Sequence, residues 1–223
     1  MNNRITEYLK SVEISHSFAK NYNHGVQSHG KWDLFEPTRF VYAFFAFNMI
    51  YAIDWEPTMQ KNRLKYQSRG KDNFAKLQIE SLINFVYDIE NDAFEIALIK
   101  LDKNREMYNS VSKMDTDYNS NQANSRITGN TIAKDFLLAA EKFSKQITLD
   151  LNDQFDLLQM SYTVRNNLFH GEKKAHEMRE KGHRNRLLHY GNIILATNES
   201  FFEIMKNQFR YGRIEDWEVE NNV

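Results

Sequence analysis

The chain has 223 residues with two prolines, eight glycines and no cysteine, and its 29 basic residues nearly balance 30 acidic ones, for a net charge of −1. The absence of cysteine excludes a disulfide scaffold, a thiolate zinc site, an iron–sulfur cluster and a cysteine nucleophile. Few turn-forming residues argue against an all-β sandwich, and near-neutral charge argues against nonspecific coating of nucleic acid, so any such contact must come from a local patch.

In chain order, Met1 to Glu7 lacks the apolar stretch of a signal peptide. Asn3 to Asn21 reads as a first helix, with Ile5, Leu9, Val12 and Phe18 toward one side. Asn21 to Lys31 reads as a loop. Pro37 then sits where a helix begins, and the helix running to about Asp54 is the most apolar in the chain, so it is expected at the centre of the core. Its apolar run, Phe40 to Ile53, spans 14 residues, too few to cross a bilayer. A cytoplasmic chain with no membrane contact is expected. Further helices are predicted from about Asn73 to Asp88, and after Asp92 to Leu101. Ser110 to Ser125 is rich in Ser, Asn and Asp and reads as a polar insert. Helices follow over about Thr131 to Ile147, Asp150 to Phe169 and Arg184 to Phe209, ahead of an acidic tail. The expectation is an all-α antiparallel bundle of six or seven helices. It forms one domain over 1–223, with 1–35 as an N-terminal extension and 110–125 as the insert.

The segment with the most chemistry is Tyr162-Thr163-Val164-Arg165-Asn166-Asn167-Leu168-Phe169-His170-Gly171-Glu172-Lys173. Asn166 and His170 are four apart and share a helix face, with Arg165 beside them. A guanidinium can hold a phosphate through parallel hydrogen bonds, and an imidazole can move protons at neutral pH. Arg plus His without metal ligands nearby suits cleavage of RNA by its own 2′-hydroxyl. The same residue types also serve structure: an Arg and a His near a helix C-terminus cap carbonyls and offset the helix dipole.

Between 171 and 189, six cations (Lys173, Lys174, Arg179, Lys181, Arg184 and Arg186) face three glutamates, so this stretch carries +3 and the remainder −4. Such a rim can steer a phosphate backbone, and it can equally be a solvated mixed-charge loop. Two Glu-x-x-His pairs, Glu13 with His16 and Glu180 with His183, match half of a ferritin-like carboxylate site. Gly182 weakens the second pair and no bridging glutamates stand out. Neither a metal nor a cofactor is expected.

Arg165-Asn166-x-x-x-His170 resembles the signature of the HEPN superfamily, and the string Arg-Asn-Asn-Leu-Phe-His-Gly-Glu-Lys is similar to its bacterial, Apea-like branch. Phe45-Ala46-Phe47-Asn48, Asp54-Trp55 and Arg184-Asn185-Arg186 are similar to that branch as well. The resemblance spans most of Phe40 to Phe209. It implies a helical bundle that forms a homodimer through the motif helices, where two Arg–His pairs make one metal-independent ribonuclease centre. Such a centre leaves a 2′,3′-cyclic phosphate. By position, Arg165 would stabilise the phosphate, Asn166 would orient Arg165 or His170, and His170 would transfer the proton. Asn167, Lys173, Lys174, Arg184 and Arg186 are the expected RNA contacts. A toxin or phage-defence effector is implied, restrained by an antitoxin or regulatory protein. Other members of the superfamily are inactive and bind RNA or a partner protein, which is the alternative reading.

Overall fold

A computed structural model describes residues 3–22, 35–51, 74–112, 127–169 and 181–208. Among these residues the chain forms eight helices and no strand, one helix more than the upper expectation. They are α1 (Asn3–Asn21), α2 (Phe35–Tyr51), α3 (Phe74–Ile89), α4 (Ala93–Leu101), α5 (Met107–Val111), α6 (Ile127–Ser144), α7 (Leu151–Phe169) and α8 (Lys181–Gln208). The architecture is the expected all-α bundle. No helix among the described residues is long and apolar enough to cross a membrane.

Helix α2 is central to the core, as expected, and α8 shares that place with it. Helix α8 packs on α2, α4 and α7, and also meets α1, α3 and α5. From Tyr190 to Asn198 every residue is buried, although Asn192, Thr197 and Asn198 are polar. Each of these side chains is accommodated by a hydrogen bond, as buried polar groups require. Asn192 accepts from Arg39 Nη1 on α2 at 2.7 Å. Asn198 Nδ2 donates to the Ala43 carbonyl at 3.1 Å, and Thr197 Oγ1 donates to the Ile193 carbonyl at 3.0 Å. The bonds of Asn192 and Asn198 pin the register of α8 against α2. Burial draws the Arg39 guanidinium below its ordinary value, while the charge of Glu199 opposes the shift.

Helix α2 inserts Phe40, Ala43, Phe44, Phe47 and Ile50, all fully buried, at the three- and four-residue spacing of one helix face. Two other aromatics of the helix, Tyr42 and Phe45, are exposed. Helix α1 packs on α2 through Val12, His16 and Ala19. Phe18, expected inward, is 46% exposed. Six residues beyond Val12 it falls off the inward face, and its ring rests on Tyr42 at 4.4 Å between centroids.

Two helix boundaries have local causes. Helix α6 stops at Ser144 rather than Ile147 because Gln146 turns left-handed at φ 61°. There the Ile147 N–H bonds the Lys142 carbonyl at 2.9 Å and the Gln146 N–H bonds the Phe143 carbonyl at 3.1 Å, a Schellman-type closure made without glycine. Helix α7 starts with a reciprocal cap. Asp150 Oδ1 accepts the N–H groups of Asn152 and Asp153 at 2.9 and 3.0 Å, and Asp153 Oδ2 accepts the Asp150 N–H at 2.9 Å. Lys142 on α6 clamps Asp153 at 2.6 Å, tying the two helices across their connection.

Helix α5 was not expected. Met107 and Val111 are both fully buried, so the polar segment from Ser110 begins inside the fold. Asp102 secures this short helix. Its Oδ1 accepts the Glu106 N–H and its Oδ2 the Met107 N–H, both at 3.1 Å. Burial acts to raise the Asp102 pKa, but the hydrogen bond and charge of His189 and the two backbone N–H groups outweigh it, so the carboxyl lies below its ordinary value. A depressed pKa adds stability that is present above the unfolded value, near ~3.9, and is lost as pH falls through the folded value. Asp102→Asn should therefore lower the melting temperature at pH 7, by a loss of about 1–3 kcal/mol. Its deficit against the natural chain should shrink in acid below about pH 4. A deficit unchanged between pH 7 and pH 3 would show that the carboxylate charge contributes nothing here.

Candidate functional site

Arg165 lies in the last turns of α7, where the inward stripe is already set by Leu157, Leu158 and Ser161, all fully buried. One turn back, Tyr162 packs partly buried against this core, as do Val164 and Leu168. Tyr162 meets Phe44 of α2 at 5.9 Å between ring centroids, and Phe44 is fully buried. Arg165 lies half-buried over this pair. Its guanidinium carbon is 5.4 Å from the Phe44 centroid and 5.9 Å from that of Tyr162. Both distances fall in the range of cation–π attraction, which holds a planar cation against a ring face.

The neighbouring amide fixes a second coordinate. Arg165 Nη1 donates to Asn166 Oδ1 at 2.9 Å. Two consecutive residues thus restrict one another, and a third and fourth, Tyr162 and Phe44, supply the floor. The outcome is a permanent cation of defined plane at the end of a helix, close to the surface. A guanidinium has the fork geometry that holds a phosphate.

The remaining predicted site residues separate into two sets. Asn167 belongs to α7, and Arg184 is half-buried in the first turns of α8. Arg186 is 9% exposed and its Nη2 lies 2.8 Å from His183 Nδ1. Its guanidinium folds back along α8, so that a Cβ on Gly182 would meet Nη1 at 3.7 Å. That side chain serves the start of α8, and an RNA contact from it requires the rotamer to change. His170, Lys173 and Lys174 lie outside the described residues, as do Glu180 and residues 113–125 of the insert.

Among the described residues no group of three or more His, Asp and Glu side chains could hold a metal ion. The Glu13–His16 pair is divided by the fold. Glu13 is exposed, whereas His16 points inward, against Phe202 at 5.5 Å and 3.8 Å from Glu199 Oε1.

No family model, curated protein or solved structure matches this chain. Two members of the site were not anticipated. Tyr162 carries a visible signal, because a residue three before Arg165 shares its helix face. Phe44 carries none, since its place under Arg165 depends on how α2 meets α7.

Proposed function

We propose that this chain is a metal-independent endoribonuclease of HEPN type. The observation that carries the proposal is Arg165, laid over Phe44 and Tyr162 and bonded to Asn166 four residues before His170. In this reading Arg165 binds the scissile phosphate and neutralises charge that grows on it. His170 takes the proton of the substrate's 2′-hydroxyl. The 2′-oxygen bonds to phosphorus, the bond to the 5′-oxygen breaks, and a proton returns to that oxygen. Asn166 orients Arg165 through the bond already present. Two copies pair through α7 to make one centre, and the cations at 173, 174 and 184 guide the RNA. A toxin or defence effector restrained by a partner protein is the biological setting that fits such chemistry.

The test is cleavage of a mixed RNA pool by the purified chain in excess EDTA. The expected result is undiminished cutting of RNA, with DNA and 2′-O-methyl RNA left whole. Loss of cutting that magnesium, manganese or zinc restores would overturn the proposal. No cutting under either condition would favour a module that only binds.

A further inference from the structure

A second constellation, sharing no residue with the Arg165 set, joins α8, α5 and the C-terminal cap of α4. His189 Nε2 lies 3.0 Å from Ser110 Oγ on α5. On the opposite edge of the ring, His189 Nδ1 lies 3.3 Å from Asp102 Oδ2. We propose that Ser110, His189 and Asp102 form a nucleophilic triad that takes the acyl group of an activated carboxylic ester onto Ser110.

The order of burial fits these roles. Asp102 and His189 are 7% and 5% exposed, and Ser110 is the most accessible of the three. Asp102 is held ionised by the hydrogen bonds that lower its pKa. The ionised carboxylate stands 3.3 Å from Nδ1 without the alignment of a hydrogen bond, and its charge favours the tautomer of His189 with the proton on that nitrogen. Nε2 is then an acceptor, and the group facing it is the Ser110 hydroxyl. This is the geometry of a general base within reach of a nucleophile and oriented by a third group. Two hydroxyls of α7 turn back to their own helix. Ser161 donates to the Leu157 carbonyl at 3.1 Å and Thr163 to the Gln159 carbonyl at 3.0 Å. Ser110 instead faces an imidazole from a helix far away in sequence.

The residues around the triad are packed into the core. Met107 and Val111 of α5 are buried, and Tyr190, next to His189, packs on Phe136 at 5.6 Å. The same surroundings limit the chemistry. The Ser110 N–H donates to the Glu106 carbonyl at 3.2 Å and the Ser112 N–H to the Tyr108 carbonyl at 2.8 Å. These N–H groups are committed to α5 and do not form an oxyanion hole. Such donors are worth about 10²- to 10³-fold each, so the substrate must bring its own activation. An aryl ester or thioester does, and an amide does not.

In the acylation step the Ser110 proton passes to His189 Nε2 as Oγ bonds to the acyl carbon. The ester bond breaks and the proton leaves with the alcohol or thiol. Water then repeats the sequence and releases the acid.

The experiment treats the full chain with a fluorophosphonate probe, which loses fluoride to an activated serine, and with p-nitrophenyl acetate. Intact mass and peptide mapping locate the adduct. The expected result is one adduct per chain on Ser110, lost in Ser110→Ala and lost when the natural chain is labelled in urea. His189→Gln should slow labelling at least tenfold, with its fold checked by circular dichroism. The urea comparison needs no variant and stands if His189→Gln does not fold. RNA cleavage should be unchanged in Ser110→Ala. No adduct, an adduct elsewhere, or equal labelling of Ser110 in folded and urea-treated chains would overturn the proposal.

Discussion

Arg165→Lys should lower the rate of RNA cleavage by at least about 100-fold, and His170→Ala should do the same or more. Lysine keeps the charge but not the fork. It cannot lie flat over Phe44 and Tyr162 while donating to Asn166, and it meets phosphate as a point charge rather than through two parallel bonds. The loss should fall on kcat, because charge on the phosphate develops in the transition state. Since both residues act in one step, the double variant should cleave little more slowly than the worse single one. Arg165 is half-buried at the edge of the core, so the melting temperature of Arg165→Lys should stay close to that of the natural chain. Full activity in Arg165→Lys, measured on a fluorescent oligoribonucleotide, would reduce Arg165 to a helix-end cation of the ordinary kind.

Phe44→Ala should cost about 3–5 kcal/mol of folding stability. Phe44 is fully buried between Phe40 and Phe47 on its own helix, at 5.9 and 5.3 Å between centroids, and it also meets Tyr162. Alanine leaves a cavity where α2 meets α7 and removes the floor of the candidate site in the same stroke. Phe44→Leu separates the two consequences. It keeps most of the volume but has no ring face for the guanidinium, a contact worth about 0.5–2 kcal/mol. Urea denaturation should place Phe44→Leu much nearer the natural chain than Phe44→Ala, with cleavage reduced in both. A Phe44→Ala chain as stable as the natural one would mean that α2 and α7 do not meet as described.

Local signals in the sequence carry the helices that have local causes. Asp150 and Asp153 stand three apart ahead of an apolar run, and α7 starts there with the reciprocal cap that spacing permits. The apolar stripe of α2 is similarly plain. What the sequence conceals depends on contacts between distant segments. Helix α8 is the most enclosed in the bundle, yet Asn192, Thr197, Asn198 and Ser200 make it look amphipathic at best. Asn192 and Asn198 are tolerated because α2 and α4 supply partners, Arg39 and the Leu101 carbonyl for Asn192 and the Ala43 carbonyl for Asn198, while Thr197 and Ser200 bond back to α8. The end of α6 rests on a glutamine in a conformation usually given to glycine, so nothing marks it in advance. Of the candidate site, the Arg165–Asn166 pairing was legible from adjacency. The aromatic floor and the Ser110–His189–Asp102 constellation were not, because each closes between residues that are neighbours only once the bundle has formed.

The central claim is that the substrate's own 2′-hydroxyl is the nucleophile, and the ends of the products report it directly. An end-labelled oligoribonucleotide, cut by the purified chain in EDTA, should yield an upstream fragment with a 2′,3′-cyclic phosphate and a downstream fragment with a free 5′-hydroxyl. A single 2′-deoxy substitution at the scissile position should block that cut. Downstream fragments carrying a 5′-phosphate, or continued cutting at the deoxy position, would mean that water or a metal-bound hydroxide attacks instead, and would contradict the roles given to Arg165 and His170.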